Sequence, residues 1–246
     1  LVWGRLGILF AGLAVGAIAL FSPRIPADAL MRLYKAQLVP PGAGGQLGDV
    51  LDQLVQRSGL PARPALYVIP SMTLNAFTVG SPHNAAIGIT EGLLRKLSMR
   101  EIVGVMAHEL AHIRNDDLSV MALADVMTRF LQSLSYVALF LAVVNIIGAA
   151  TGEPTMSWTG IALLYLAPTI SSLLQLGLSR TREYDADREA ALMTGDPVAL
   201  ASALRRLERY TGSMWEDIMP VPARKIPVPS VLRTHPETSD RVARLL

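Results

Sequence analysis

The sequence predicts a mainly α protein with a small antiparallel β-sheet (α+β), interrupted by a helical hairpin that crosses a membrane. Three observations predict it. Two adjoining runs of 23 and 26 residues carry no charge, a series of short β-like runs fills positions 65–90, and apolar residues recur at helical spacing through most of the remaining chain. The composition agrees. Of 246 residues, 51% are hydrophobic and only 17% charged, with a mean hydropathy of +0.39; an ordinary soluble domain carries roughly a quarter charged residues. Cysteine is absent, which excludes disulfides and thiolate metal sites. Any metal must therefore be held by His, Asp and Glu. A formal net charge of +2 gives no reason to expect a nucleic-acid partner.

The uncharged runs are Phe130 to Gly152 and Pro154 to Ser179, on either side of Glu153. A helix of about 20 apolar residues spans a bilayer core, so the two runs form a transmembrane hairpin. Their polar members Gln132, Ser133, Asn145, Ser171, Ser172 and Gln175 are positioned to hydrogen-bond between helices. An earlier run of 18 uncharged residues, Leu6 to Pro23, reads as a retained N-terminal anchor. The chain thus divides into an anchor (1–23), a first polar part (24–129), the hairpin (130–179) and a second polar part (180–246). Arg24, Arg32, Lys35, Arg129, Arg180, Arg182 and Arg188 lie near the membrane ends of the two polar parts, and the hairpin turn has neither Lys nor Arg. The positive-inside bias places both polar parts in the cytoplasm.

Within the first polar part, Pro40 to Gly45 is a linker by composition, and Gln46 to Ser58 has an apolar helical stripe that stops at Gly59. Runs at Ala65–Ile69, Leu74–Val79 and Ala85–Thr90, parted by Pro70-Ser71 and Gly80-Ser81-Pro82, predict an antiparallel meander. Glu91 to Leu97 is a short helix. Ser98-Met99-Arg100-Glu101 is a capping box that starts a helix at Met99, running to about Arg114. In the second polar part, Arg182 to Met193 is helical up to Gly195, Asp196-Pro197 starts another helix through Tyr210, 211–236 is irregular, and a last helix covers Glu237 to Leu246.

The helix from Met99 contains His108-Glu109-Leu110-Ala111-His112. At about 100° per residue from Ile102, the histidines fall near 240° and 280°, whereas Ile102, Val103, Met106, Leu110 and Ile113 fall between about 0° and 100°. Gly104, Ala107 and Ala111 sit between these faces and admit another element closely. Two imidazoles one turn apart bind a single Zn²⁺, with Glu109 beside them as general base. Helix, cap and opposed apolar face set the pattern apart from a chance match. A third ligand is required. Leu118 stands where a third histidine would complete the metzincin pattern, so an acidic ligand is expected downstream. Glu183 is the best placed. Asp187, one turn later, would accept the N–H of a ligand histidine. The alternative is that both are surface acids paired with Arg182 and Arg188.

HEXXH at 108–112, Ser179-Arg180-Thr181-Arg182-Glu183-Tyr184-Asp185-Ala186-Asp187 downstream, the hairpin between them and Thr234-His235-Pro236 near the end resemble the HtpX branch of the integral-membrane gluzincins. These are relatives of the CAAX prenyl protease and of the mitochondrial Oma-type protease. The resemblance covers roughly 30–246 and includes Asn75-Ala76-Phe77. That family has two N-terminal spans where one is visible here. The resemblance implies a membrane-bound zinc endopeptidase of protein quality control, in the bacterial inner membrane with its catalytic domain facing the cytoplasm. Its cofactor would be one Zn²⁺ per chain on His108, His112 and Glu183, and its partners would be the bilayer and unfolded or membrane-protein polypeptide. The resemblance also implies that substrate adds as a strand along Asn75, Ala76 and Phe77, and that His235, with Arg241, stabilises the oxyanion. Two other functions fit parts of the pattern. One is a specialised processing enzyme of the CAAX-protease type; the other is a non-enzymatic metal-binding membrane scaffold, against which an intact Glu109 argues.

Overall fold

The computed structural model describes residues 26–43, 45–152, 156–218 and 236–246. The expected anchor, His235 and most of the expected irregular segment 211–236 lie outside them. Two compact units form: Ile25–Ser119 with Ser179–Leu246, and a second that includes Val120–Leu178.

In the first unit, α1 (Ala27–Leu33) and β1 (Gln37–Val39) precede α2 (Gly45–Ser58), β2 (Ala65–Ile69), β3 (Ala76–Ser81), β4 (Asn84–Thr90), α3 (Glu91–Lys96) and α4 (Met99–Arg114). The sequence reading assigned no element to 27–39, where β1 is only three residues long. The sheet is small, as expected, but it is mixed rather than an antiparallel meander. Its order is β1-β2-β4-β3, with β2 and β4 parallel and the other pairs antiparallel. The cause is the apolar content of β4. Ala85, Ala86, Ile87 and Ile89 are all buried, which suits a central strand covered on both faces. β3, with Thr78 and Ser81, takes the edge, and the segment after Pro70 carries the chain past the position β4 fills. β3 begins at Ala76 rather than Leu74 because the backbone of Asn75 is held by Thr90: its N–H donates to Thr90 Oγ1 (3.0 Å) and its C=O accepts from Thr90 N–H (3.0 Å).

The predicted capping box is formed. Ser98 Oγ accepts from Glu101 N–H, and Glu101 Oε2 accepts from Ser98 N–H at 2.8 Å. α4 lies at the centre of the core, with Ile102, Met106, Leu110 and Ile113 fully enclosed. Gly104 provides the close approach expected of it. A Cβ there would stand 3.1 Å from the backbone of Leu200 on α7 (Pro197–Ile218). α8 (Thr238–Leu245) closes this unit and buries Arg241 and Val242.

α5 (Asp117–Thr151) and α6 (Trp158–Thr194) are longer than the runs that predicted them. Each is long and apolar enough to cross a membrane, with mean hydropathy of 2.0 and 1.7 in the most apolar window. Within Val120–Leu178, Thr128 bonds across to Ser171 (2.9 Å) and to Gln175 (3.4 Å), and Asn145 clasps the backbone of Met156 at both N–H and C=O. Gln132 and Ser133 instead bond within their own helix. Phe140, Ile147 and Leu174 remain exposed, as side chains in contact with lipid would be.

Candidate metal centre

His108 and His112 leave α4 on the face opposite its core stripe, one turn apart, and Glu183 comes from α6. One ligand atom from each lies within 4.8 Å of the other two. The two Nε2 atoms are 3.1 Å apart; Glu183 Oε2 is 3.5 Å from His108 Nε2, and its Oε1 is 3.8 Å from His112 Nε2. The imidazole planes are nearly perpendicular, at 85°.

The opposite nitrogen of each ring meets a carboxylate. His112 Nδ1 is 2.8 Å from Asp117 Oδ2, and His108 Nδ1 is 3.0 Å from Asp187 Oδ1. The first is a hydrogen bond and the second a charge contact; a carboxylate at Nδ1 favours the proton there and leaves Nε2 of a neutral ring as a lone pair. With both imidazoles neutral, the rings turn two acceptors toward each other with a third, anionic acceptor alongside, a set that repels itself unless a proton or a metal cation lies between. Ligands about 2.0–2.1 Å from a tetrahedral zinc lie roughly 3.3 Å apart, close to the edges observed. The donor set fits a divalent metal.

The electrostatics point the same way. Burial alone would lower the basicity of His108, but contacts with Asp187 and Glu183 outweigh it and push its pKa up to about 9. Burial would raise Asp187, yet the Arg241 guanidinium and His108 hold it below the usual carboxylate range. Arg241 is itself raised, since its bonds to Asp187 outweigh the cost of burial. Its Nη1 also lies 3.0 Å from Glu183 Oε2. Acidic neighbours favour positive charge at this point, whether a proton on His108 or a cation held between the candidate ligands.

The structure brings His108, Glu109, His112, Glu183, Asp187 and Arg241 together. Asn75, Ala76 and Phe77 lead into and begin the edge strand β3, which packs against α4. The Phe77 ring packs on the far face of the sheet against Tyr34, 5.3 Å between centroids. His235 lies outside the described residues. Two neighbours of the site were missed in the sequence. Asp117, just past the predicted end of the helix at about Arg114, meets His112 and Arg182 Nη1 (2.9 Å). The turn does this: Asp116 adopts φ 51°, a left-handed conformation that aspartate tolerates, and re-aims the chain. Thr78 donates from β3 to Glu109 Oε2 at 2.8 Å. No local signal marks a strand threonine for such a contact.

Comparison with known proteins identifies the family. The family model described as peptidase family M48 matches residues 42–246. A protease HtpX homolog of Desulfatibacillum aliphaticivorans is 33% identical over 255 residues, covering 100% of this chain and 82% of that protein. One from Acaryochloris marina is 38% identical over 258 residues, covering 99% and 86%. The crystal structure of S. mikatae Ste24p has the same fold, with TM-score 0.60 and 23% identity over 99% of this chain; the chain spans 58% of the Ste24p length. On the family match and the identity to these relatives, the chain belongs to peptidase family M48 and is a metalloprotease with two helices long and apolar enough to cross a membrane.

Proposed function

We propose that this protein is a membrane-bound, zinc-dependent endopeptidase that hydrolyses misfolded or damaged membrane proteins as part of protein quality control. One observation carries the reading: His108, His112 and Glu183 converge within 4.8 Å while an aspartate backs each histidine. The HtpX naming of the relatives supports the quality-control role. Residues 1–23 would be an anchor, 130–179 the spanning hairpin, and 24–129 with 180–246 the protease domain, facing the cytoplasm of a bacterial inner membrane by the distribution of arginine.

In the proposed reaction His108, His112 and Glu183 would hold one zinc ion, and Asp187 and Asp117 would favour the two imidazole tautomers that bind it. Bound zinc would polarise the scissile carbonyl and acidify the attacking water. Glu109 accepts a proton as the water oxygen bonds to the carbonyl carbon. As the C–N bond breaks, Glu109 passes that proton to the amine nitrogen. Arg241, spread over Asp187 and Glu183, orients the carboxylates rather than meeting substrate. His235 is proposed as the oxyanion donor, on the family resemblance. Substrate would enter as an added strand on the side of β3 that no described strand pairs. Such β-augmentation binds extended backbone with little regard to sequence, as an enzyme acting on unfolded chain requires.

The test uses the full chain reconstituted in lipid. Glu109→Gln should keep its zinc while turnover falls by roughly 10²- to 10⁴-fold, and Glu183→Ala should lose the zinc. Near-normal turnover of Glu109→Gln would remove the general-base role. Equal cleavage of soluble casein and of destabilised membrane proteins would count against membrane-protein substrates.

A further inference from the structure

Thr78 is buried in the edge strand β3, and its hydroxyl is aimed at a single residue. Oγ1 lies 2.8 Å from Glu109 Oε2 and 3.3 Å from the Glu109 carbonyl oxygen. A buried hydroxyl without a partner costs about 1–3 kcal/mol, and valine would fill the same volume. What the hydroxyl adds is this bond. Donation to an ionised carboxylate is roughly twice as strong as a neutral hydrogen bond. The β-branched side chain also has little χ1 freedom to lose.

The backbone of Thr78 has a second relation to the reaction. Asn75 turns its N–H and C=O toward Thr90 at the start of β4. Strand alternation then directs those of Phe77 and Val79 toward β4, and those of Ala76 and Thr78 toward the opposite edge. Among the described residues no strand pairs with that edge. A polypeptide added there would hydrogen-bond to the backbone of the residue whose side chain grips the general base.

We infer that Thr78 is a positioning residue: it locks the Glu109 carboxylate through Oε2, directs Oε1 to the proton in flight, and ties the base to the strand on which substrate is registered. This rests on Glu109 being the general base. A misplacement of about 1 Å in such a group can cost on the order of 100-fold in rate.

Thr78→Val removes the bond at nearly constant volume, and Thr78→Ser keeps the hydroxyl. In the reconstituted full chain, Thr78→Val should lower kcat roughly 10- to 100-fold with KM and zinc per chain unchanged. Thr78→Ser should stay within about threefold of the parent. Added to Glu109→Gln, Thr78→Val should cause no further loss, because the group it positions is already disabled. Unchanged kcat in Thr78→Val, an equal loss in Thr78→Ser, or a full additional loss on Glu109→Gln would each overturn the inference. Failure of the general-base reading would look different, since Glu109→Gln would then turn over near normally by itself.

Discussion

Arg241 and Asp187 form a two-pronged pair: Nε and Nη2 of the guanidinium each donate to a separate oxygen of the carboxylate, both at 2.7 Å. The pair joins the last helix, α8, to α6 at the point where Asp187 reaches His108. Both residues are buried, so neither charge has water to replace its partner. Removing one member of a buried pair typically costs about 3–5 kcal/mol. Arg241→Met should lower stability by that order and weaken zinc binding. Arg241→Lys should recover only part of the loss, because one ammonium cannot reproduce the fork. Chemical unfolding and zinc titration of the two variants check this.

Asp117 supports His112 as Asp187 supports His108, and it also carries the ion pair with Arg182. Partners of this kind are typically worth about 10- to 100-fold in metal affinity. Asp117→Asn should therefore weaken zinc binding by about that factor with the fold retained. Competition against a chelator of known affinity measures it; unchanged affinity would show that the turn alone orients the ring.

Zinc should stabilise the native chain by mass action, about 2.7 kcal/mol at a free concentration 100 times its dissociation constant. Chelation should lower the thermal midpoint of the parent and abolish its activity, and zinc should restore both. Glu183→Ala should begin near the chelated midpoint and respond little to added zinc.

Glu101 supplies a pH dependence away from the metal. Burial would raise its pKa, but hydrogen bonds from Ser202 and Ser98 and the charge of Arg206 lower it beneath its ordinary value of 4.5. A carboxyl depressed in the folded state contributes stability above its unfolded pKa, and that contribution fades as pH falls through the folded one. Acidification should therefore cost the parent more stability than it costs Glu101→Gln. Unfolding curves of both proteins from neutral pH downward provide the comparison.

The elements legible in the sequence are those specified by neighbours along the chain. The capping box at Ser98, the turn separation of His108 and His112, and the two uncharged runs all depend on spacing, and helix geometry converts spacing directly into position. Glu183 and Asp187 were legible as an acidic pair one turn apart because the same rule applies to them. The parallel pairing of β2 with β4 was not. Strand order is settled by which strand buries most apolar surface in the assembled sheet, a competition that no local pattern records. Asp117 depends on one left-handed residue at Asp116, and Thr78 meets Glu109 across 31 positions of sequence. The chain alone therefore marked the candidate metal ligands and the helix that carries two of them. Only the folded structure decided what surrounds those residues, because Asp187 and Thr78 reach His108 and Glu109 through the core, and Asp117 reaches His112 around a turn whose left-handed residue no local pattern marks.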